Sequence, residues 1–180
     1  MRSNAIIAIL IAYFAFSIPA QADPSAQARK TIQALYNKKN AAVARQDLVT
    51  AVSVYADEFS SVDQDGVISP TTRDDKLRLY NKMVHTDQPG VRKSTVKERD
   101  TVVSAKPISG GIVVVEKGDY TFTMFGENSK VLKQHVVGTF REFWAKKGDT
   151  YLLTQSRILS IHKSAFLDGE PVKAPPEPTP

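Results

Sequence analysis

The sequence predicts an α+β domain, and three observations carry that prediction. Its first half holds segments whose apolar residues recur at helical spacing. Its second half is four long β-branched and aromatic stretches separated by turn residues. Between the halves, Val54-Tyr55-Ala56-Asp57-Glu58-Phe59-Ser60-Ser61-Val62-Asp63-Gln64-Asp65-Gly66 passes from a helical pattern into an extended one and ends on a hairpin signal, Asp65-Gly66. A run of helices followed by a run of strands is the α+β order; regular alternation would have meant a parallel sheet.

Taken in order, Pro24 to about Arg45 is the first helix, with Ala28, Ile32, Leu35, Tyr36, Ala42 and Val43 on its apolar stripe. Asp47 is the expected N-cap of a shorter helix, Leu48 to Tyr55. Asp57 to Asp63 is extended, Asp65-Gly66 turns, and Val67-Ile68 returns as a short strand. Ser69-Pro70 predicts the start of a third helix, a capping hydroxyl followed by proline at the first helical position. Asp74 and Asp75 suit the positive end of its dipole, Leu77, Tyr80 and Val84 form its buried stripe, and Asp87-Gln88-Pro89-Gly90 ends it. Strands then span Val91 to Pro107, Ile112 to Phe125, Val131 to Trp144 and Tyr151 to His162, with turns at Ser109-Gly110-Gly111, Gly126-Glu127-Asn128-Ser129 and Lys147-Gly148-Asp149. A last turn falls at Asp168-Gly169-Glu170.

The two ends are set apart from this domain. Residues 1–22 carry Arg2, an uncharged and mostly apolar run from Ala5 to Ile18, and a small-x-small ending at Ala20-Gln21-Ala22, the pattern of a cleaved signal peptide. At 14 residues the run is short beside the ~20 a membrane span needs. The expectation is a periplasmic or secreted protein with no membrane segment after cleavage. Its domain spans 23–166, and 167–180 is a Pro-rich tail with five prolines after Leu167. A mature chain of this length buries roughly 70% of its unfolded surface. It therefore builds a core without disulfides, and it has no cysteine to make them.

The net charge of +5 is scattered along the chain and interleaved with acids, which describes a solvated surface and not a nucleic-acid face. His85, His135 and His162 fit no zinc spacing, Asp63-x-Asp65-Gly66 lacks the other ligands of a calcium loop, and there is no phosphate loop or dinucleotide fingerprint. No cofactor is expected. The strand Val131 to Trp144 is apolar on both sides (Leu132, Val136, Phe140 and Trp144 against Val131, Val137 and Phe143), so both faces need cover and a homodimer is expected. His135, Arg141, Gln155 and Arg157 sit at odd positions of the last two strands. On a concave face they line a polar pocket for an anionic group; on a convex face they are solvated or form an interface. Tyr55, Phe59, Tyr120 and Phe122 are the candidate aromatic lining.

The order helix, helix, hairpin, helix, four-strand meander resembles the nuclear transport factor two-like superfamily, the SnoaL-like, cystatin-like cone. The resemblance covers about Ala26 to His162. Three stretches carry it: the Tyr36 helix, the Gln46-Asp47-Leu48 turn leading to Tyr55-Ala56-Asp57-Glu58-Phe59 and on through Asp63 to Gly66, and Thr139-Phe140-Arg141-Glu142-Phe143-Trp144. It implies a strongly curved, mainly antiparallel sheet wrapped around the N-terminal helices, with a conical pocket. Similarity to ketosteroid isomerases and SnoaL-type cyclases implies Asp63 as a general base and Tyr36 as a hydrogen-bond donor to a developing oxyanion. The bland alternative for Asp63 is a hydrogen bond to the turn backbone of Gln64 to Gly66. The second acid of those isomerases has no counterpart in Gly138-Thr139-Phe140-Arg141, before Glu142. Two functions therefore stand side by side. One is a non-catalytic exported module binding a small molecule or a partner; the other is a cofactor-free isomerase, cyclase or hydratase.

Overall fold

The computed structural model describes residues 23–85 and 90–172. The proposed signal peptide, most of the Pro-rich tail and the centre of the turn expected at Asp87 lie outside them. Helix α1 (Pro24–Ala44) starts on Asp23, whose carboxylate accepts from the Ser25 N–H at 3.0 Å, with proline in the first turn. Helix α2 (Leu48–Val52) is capped by Asp47, as expected, but ends three residues before the predicted Tyr55. Strand β1 (Tyr55–Val62) claims Tyr55, which pairs with Leu153 in the last long strand, and the Val54 carbonyl accepts from the Leu153 N–H at 2.8 Å.

The third helix does not begin at Ser69-Pro70. Those residues belong to β2 (Ile68–Thr72), and α3 (Arg73–Val84) starts on Thr72, which forms a reciprocal capping box with Asp75. The physical reason is that β2 is the outermost strand on its side of the sheet, where a proline without an N–H leaves no ladder bond broken. Thr72 with Asp75 caps a helix better than Ser69 alone, because two backbone donors are satisfied instead of one.

Four long strands follow: β3 (Val91–Ile108), β4 (Gly111–Gly126), β5 (Val131–Lys147) and β6 (Thr150–Leu167). A short β7 (Glu170–Pro171) folds back on the end of β6, so Asp168-Gly169 turns a hairpin where the sequence suggested the end of the fold. The sheet order is β2-β1-β6-β5-β4-β3, antiparallel throughout except for the parallel β1–β6 pair. This is an α+β fold with a sheet that does not close. Among the described residues no helix is long and apolar enough to cross a membrane.

Helix α1 lies against β3 and is clamped to it by one side chain. Gln33 donates to the Asp100 carbonyl at 2.9 Å and accepts from the Val102 N–H at 2.8 Å, beside the register shift between Val102 and Ser104. A side-chain amide here completes the pairing of backbone groups that the bulge leaves over. The core between helices and sheet is centred on Ile32, Tyr36 and Val43 of α1, Val102 of β3, Val114 of β4 and Trp144 of β5, all buried. Tyr36 meets Trp144 edge to face, with ring centroids 5.3 Å apart. Gly118 and Gly138 stand opposite each other in β4 and β5. A Cβ on Gly118 would run into the Tyr120 ring, and one on Gly138 would lie 2.6 Å from the Phe140 ring. The two glycines therefore let both rings lie down over the inner face, where they pack edge to face.

Candidate functional site

Between the sheet's inner face and helices α1 and α3 is a cavity of about 490 Å³. Its wall is apolar and aromatic, with Phe59, Met83, Val96, Phe122, Phe140 and Ile158 contributing. Its floor is made of ionisable groups. Lys39 of α1, 3% exposed, places its ammonium 3.1 Å from Glu98 Oε2 and 2.9 Å from Asp100 Oδ2 on β3. Glu116 of β4 and Glu142 of β5 complete the floor, at 1% and 5% exposure.

The floor's donors are turned onto its carboxyl groups. The Tyr36 hydroxyl and the Trp144 indole N–H both donate to Glu142 Oε2, the indole at 2.9 Å. Tyr80 donates to Glu98 Oε1 at 2.7 Å, and Tyr120 to Asp100 Oδ1 at 2.9 Å. Glu116 is treated differently. Its Oε1 has only the long 3.4 Å contact with Tyr120, and its buried Oε2 has no hydrogen-bond partner. Burial, together with the neighbouring acids Glu142 and Asp100, pushes the Glu116 pKa up to about 9, so it is protonated at neutral pH. Burial also raises Glu142, against the hydrogen bonds from Tyr36 and Trp144. Burial alone would lower Lys39, but Glu98 and the other groups around it more than offset that, and its ammonium stays charged. Tyr36 is raised by burial and by Glu142, so its phenol is neutral and a donor. Lys76 of α3 also lines the cavity, 5.5 Å and 5.3 Å from the ring centroids of Tyr55 and Phe59, with its pKa lowered by burial.

The structure brings Tyr36, Tyr55, Phe59, Tyr120 and Phe122 together around this cavity. Asp63 is elsewhere. It sits at the β1–β2 turn, where its carboxylate accepts from the Val67 N–H at 2.8 Å, and it does not line the cavity. This is the turn-backbone alternative with its partner one residue beyond the Gln64 to Gly66 expected, and no base at Asp63 reaches Tyr36. His135, Arg141, Gln155 and Arg157 also fall outside the cavity lining, on the opposite face of the sheet. Inner positions on β5 are the even ones (Val136, Phe140, Glu142), and register pairs Arg141 with Arg157 across the outer face. There His135 pairs with Asp119 at 2.8 Å, and Gln155 reaches Ser60 at 3.3 Å.

Sequence reasoning passed over Lys39, Glu98, Asp100, Glu116 and Glu142 as site residues. The signal was phase. Glu116 stands in step with Ile112, Val114, Tyr120 and Phe122, and Glu142 with Val136, Phe140 and Trp144. A carboxylate in the apolar phase of a half-buried strand faces the core. Among the described residues, no group of three or more His, Cys, Asp or Glu is arranged to hold a metal ion.

No protein-family model matches the sequence, and no curated protein does. Solved structures match its fold. Kfla4162 from Kribbella flavida aligns with a TM-score of 0.55 at 10% identity, over 74% of this chain and 90% of its own. An NTF-2-like protein of unknown function from Shewanella oneidensis MR-1 gives 0.50 at 17%, over 72% and 96%. A hexachlorocyclohexane dehydrochlorinase, LinA Type2, gives 0.51 at 11%, over 84% and 96%. At such identities the likeness speaks for the fold alone. The chain has the NTF2-like, SnoaL-like cone fold that its order of elements resembles.

Proposed function

We propose that this chain is a small-molecule binding protein that takes a ring-sized, mostly apolar ligand into the cone with its polar group against the floor. The observation that carries the reading is the cavity itself: about 490 Å³, apolar-walled, with five ionisable side chains converging at one end. That volume and that mixture are typical of ligand sites. A thermal-shift screen of small molecules tests it, run in parallel on Val136→Trp, which fills the cavity from the wall. Compounds that stabilise the native protein and not the variant support the site. A broad screen with no such compound sinks the reading.

A second reading, cofactor-free isomerase, cyclase or hydratase chemistry, is favoured by one feature: a protonated acid, Glu116, in the same cavity as the phenol of Tyr36. It moves the proton-transfer role from Asp63 to Glu116. Turnover of a bound compound that disappears in Glu116→Gln while binding persists would establish it. We also propose that the chain is exported through residues 1–22 and pairs with a second copy across the outer face, where Val137 is exposed. Cell fractionation tests the first of these, and a strict monomer by light scattering at high concentration overturns the second.

A further inference from the structure

The floor's donors are taken up, apart from the proton that Glu116 itself carries at neutral pH. Lys39 is held by Glu98 and Asp100, and the hydroxyls of Tyr36, Tyr80 and Tyr120 are each engaged by a carboxyl group. With Glu98 Oε2 and Asp100 Oδ2 bridged to Lys39, the floor oxygen left without a partner is the buried Glu116 Oε2, on a side chain that lines the cavity. Lys39 is shared between Glu98 and Asp100, so once Glu116 gives up its proton no cation of the floor is left to pair with it.

Resting on the pocket reading above, we propose that the natural occupant is an organic cation, a protonated amine on an apolar ring body, whose ammonium binds at Glu116 Oε2. The ring body then lies among Phe59, Phe122 and Phe140. To a Glu116 carboxylate that has released its proton, an amine supplies both donors and positive charge; a hydroxyl supplies only one donor, and a carboxylate neither. The groups facing Glu116 are Lys39 and Tyr36 from α1, Asp100 from β3, Tyr120 from its own strand and Glu142 from β5. Among the described residues lining the wall, Lys76 is the cation that would favour an anion instead, and the experiment sets the two against each other.

Binding exchanges a proton for the ammonium. In the free protein Glu116 holds a proton up to about pH 9. The amine arrives charged, the Glu116 proton leaves to buffer, and an ion pair remains. About one proton is therefore released per amine bound at neutral pH. Amine affinity rises, by up to about tenfold per pH unit, as pH climbs toward 9.

The test uses three probes with one body: tryptamine, tryptophol and indole-3-acetate, titrated calorimetrically into the full chain in phosphate and in Tris. The expected order is tryptamine tightest by at least about tenfold, with a heat that differs between buffers as one released proton requires. Glu116→Gln should bring tryptamine down to the level of tryptophol and leave tryptophol unchanged. Tryptophol binding as tightly as tryptamine overturns the cation but leaves the pocket standing. Tighter indole-3-acetate gives the site to Lys76 and also overturns it. Failure of all three at millimolar concentration, with hits elsewhere in the thermal-shift screen, again removes only the cation; failure of both removes the pocket too. The buffer dependence is read on the native protein, so it decides the proposal even if the variant does not fold.

Discussion

The inner and outer faces of β5 use the same chemistry to opposite ends. On the outer face, Arg141 lies opposite Arg157, and His135 pairs with Asp119 while both side chains remain partly in water. On the inner face one residue along, Glu142 is buried under Tyr36 and Trp144. Outside, a charge costs little to keep and contributes little, because water and salt screen it. Inside, each charge must be paired, hydrogen-bonded or neutralised by a proton. The number of charges is thus a poor guide to a site in this molecule, whereas the phase of a charge along its strand is a good one.

The sharpest way to break that contrast is to remove the inner cation. Lys39→Met leaves Glu98 and Asp100 buried without a partner, and truncating one member of such a set costs about 3–5 kcal/mol. Urea unfolding should show this loss. His135→Ala on the outer face should stay within about 0.5 kcal/mol of the native protein. Equal effects would mean that the two faces do not differ as described.

The pH dependence of stability sharpens the same point. In the folded chain Glu116 titrates near 9; unfolded, it titrates near its ordinary 4.5. Between those values the folded state holds a proton that the unfolded chain has released. The contribution is therefore complete below 4.5 and is lost as pH rises through 9. The melting temperature should fall from about pH 6 to about pH 9, with buried Glu142 adding in the same direction. Glu116→Gln, a neutral isostere, should melt close to the native protein at the lower pH and above it at the higher. Parallel curves for the two proteins would show that Glu116 is not buried as an acid.

How much of this was legible in the sequence follows from which signals are local. The helix cap at Asp47, the Asp65-Gly66 turn and the strand alternation act over a few residues, and the helix-to-sheet order was readable from them. The α3 start was misplaced because Ser69-Pro70 is a good local cap, and only the sheet order reveals that Pro70 sits on an edge where it is tolerated. The aromatic lining was readable as apolar phase. Which face is concave was not, since parity says only that His135 and Arg141 share a side. Lys39 was the hardest case. It falls on a charged-looking helix, and the reason for its burial, Glu98 and Asp100, lies about 60 residues away on β3.

Gly118→Ala separates the shape of the inner face from its charge. In an ordinary strand, replacing glycine by alanine gains about 0.5–1 kcal/mol, because glycine has more backbone entropy to lose. Here the new methyl meets the Tyr120 ring, which is held by its hydrogen bond to Asp100 and by packing on Phe140. The ring must move, so overpacking outweighs the entropy gain and the variant should lose about 1–3 kcal/mol in urea unfolding. Unchanged or increased stability would mean that the ring has somewhere else to go and that the glycine pair does not shape the cavity.

A smaller loss than at Lys39 or Gly118 is expected at the residue that looked most like chemistry in the sequence. Asp63→Ala removes one acceptor, the partner of the Val67 N–H in a turn that water also reaches. The β1–β2 turn keeps its backbone bond from the Asp63 N–H to the Val67 carbonyl at 3.1 Å. A loss of about 0.5–1.5 kcal/mol is expected, the value of a single hydrogen bond when solvent can replace the partner. Ligand affinity should not change, because Asp63 does not line the cavity. Measuring unfolding and binding on the same variant makes the comparison decisive. A stability change with unaltered binding places Asp63 in the fold alone, whereas weakened binding with intact stability would return it to the site and require the turn to reach the cone.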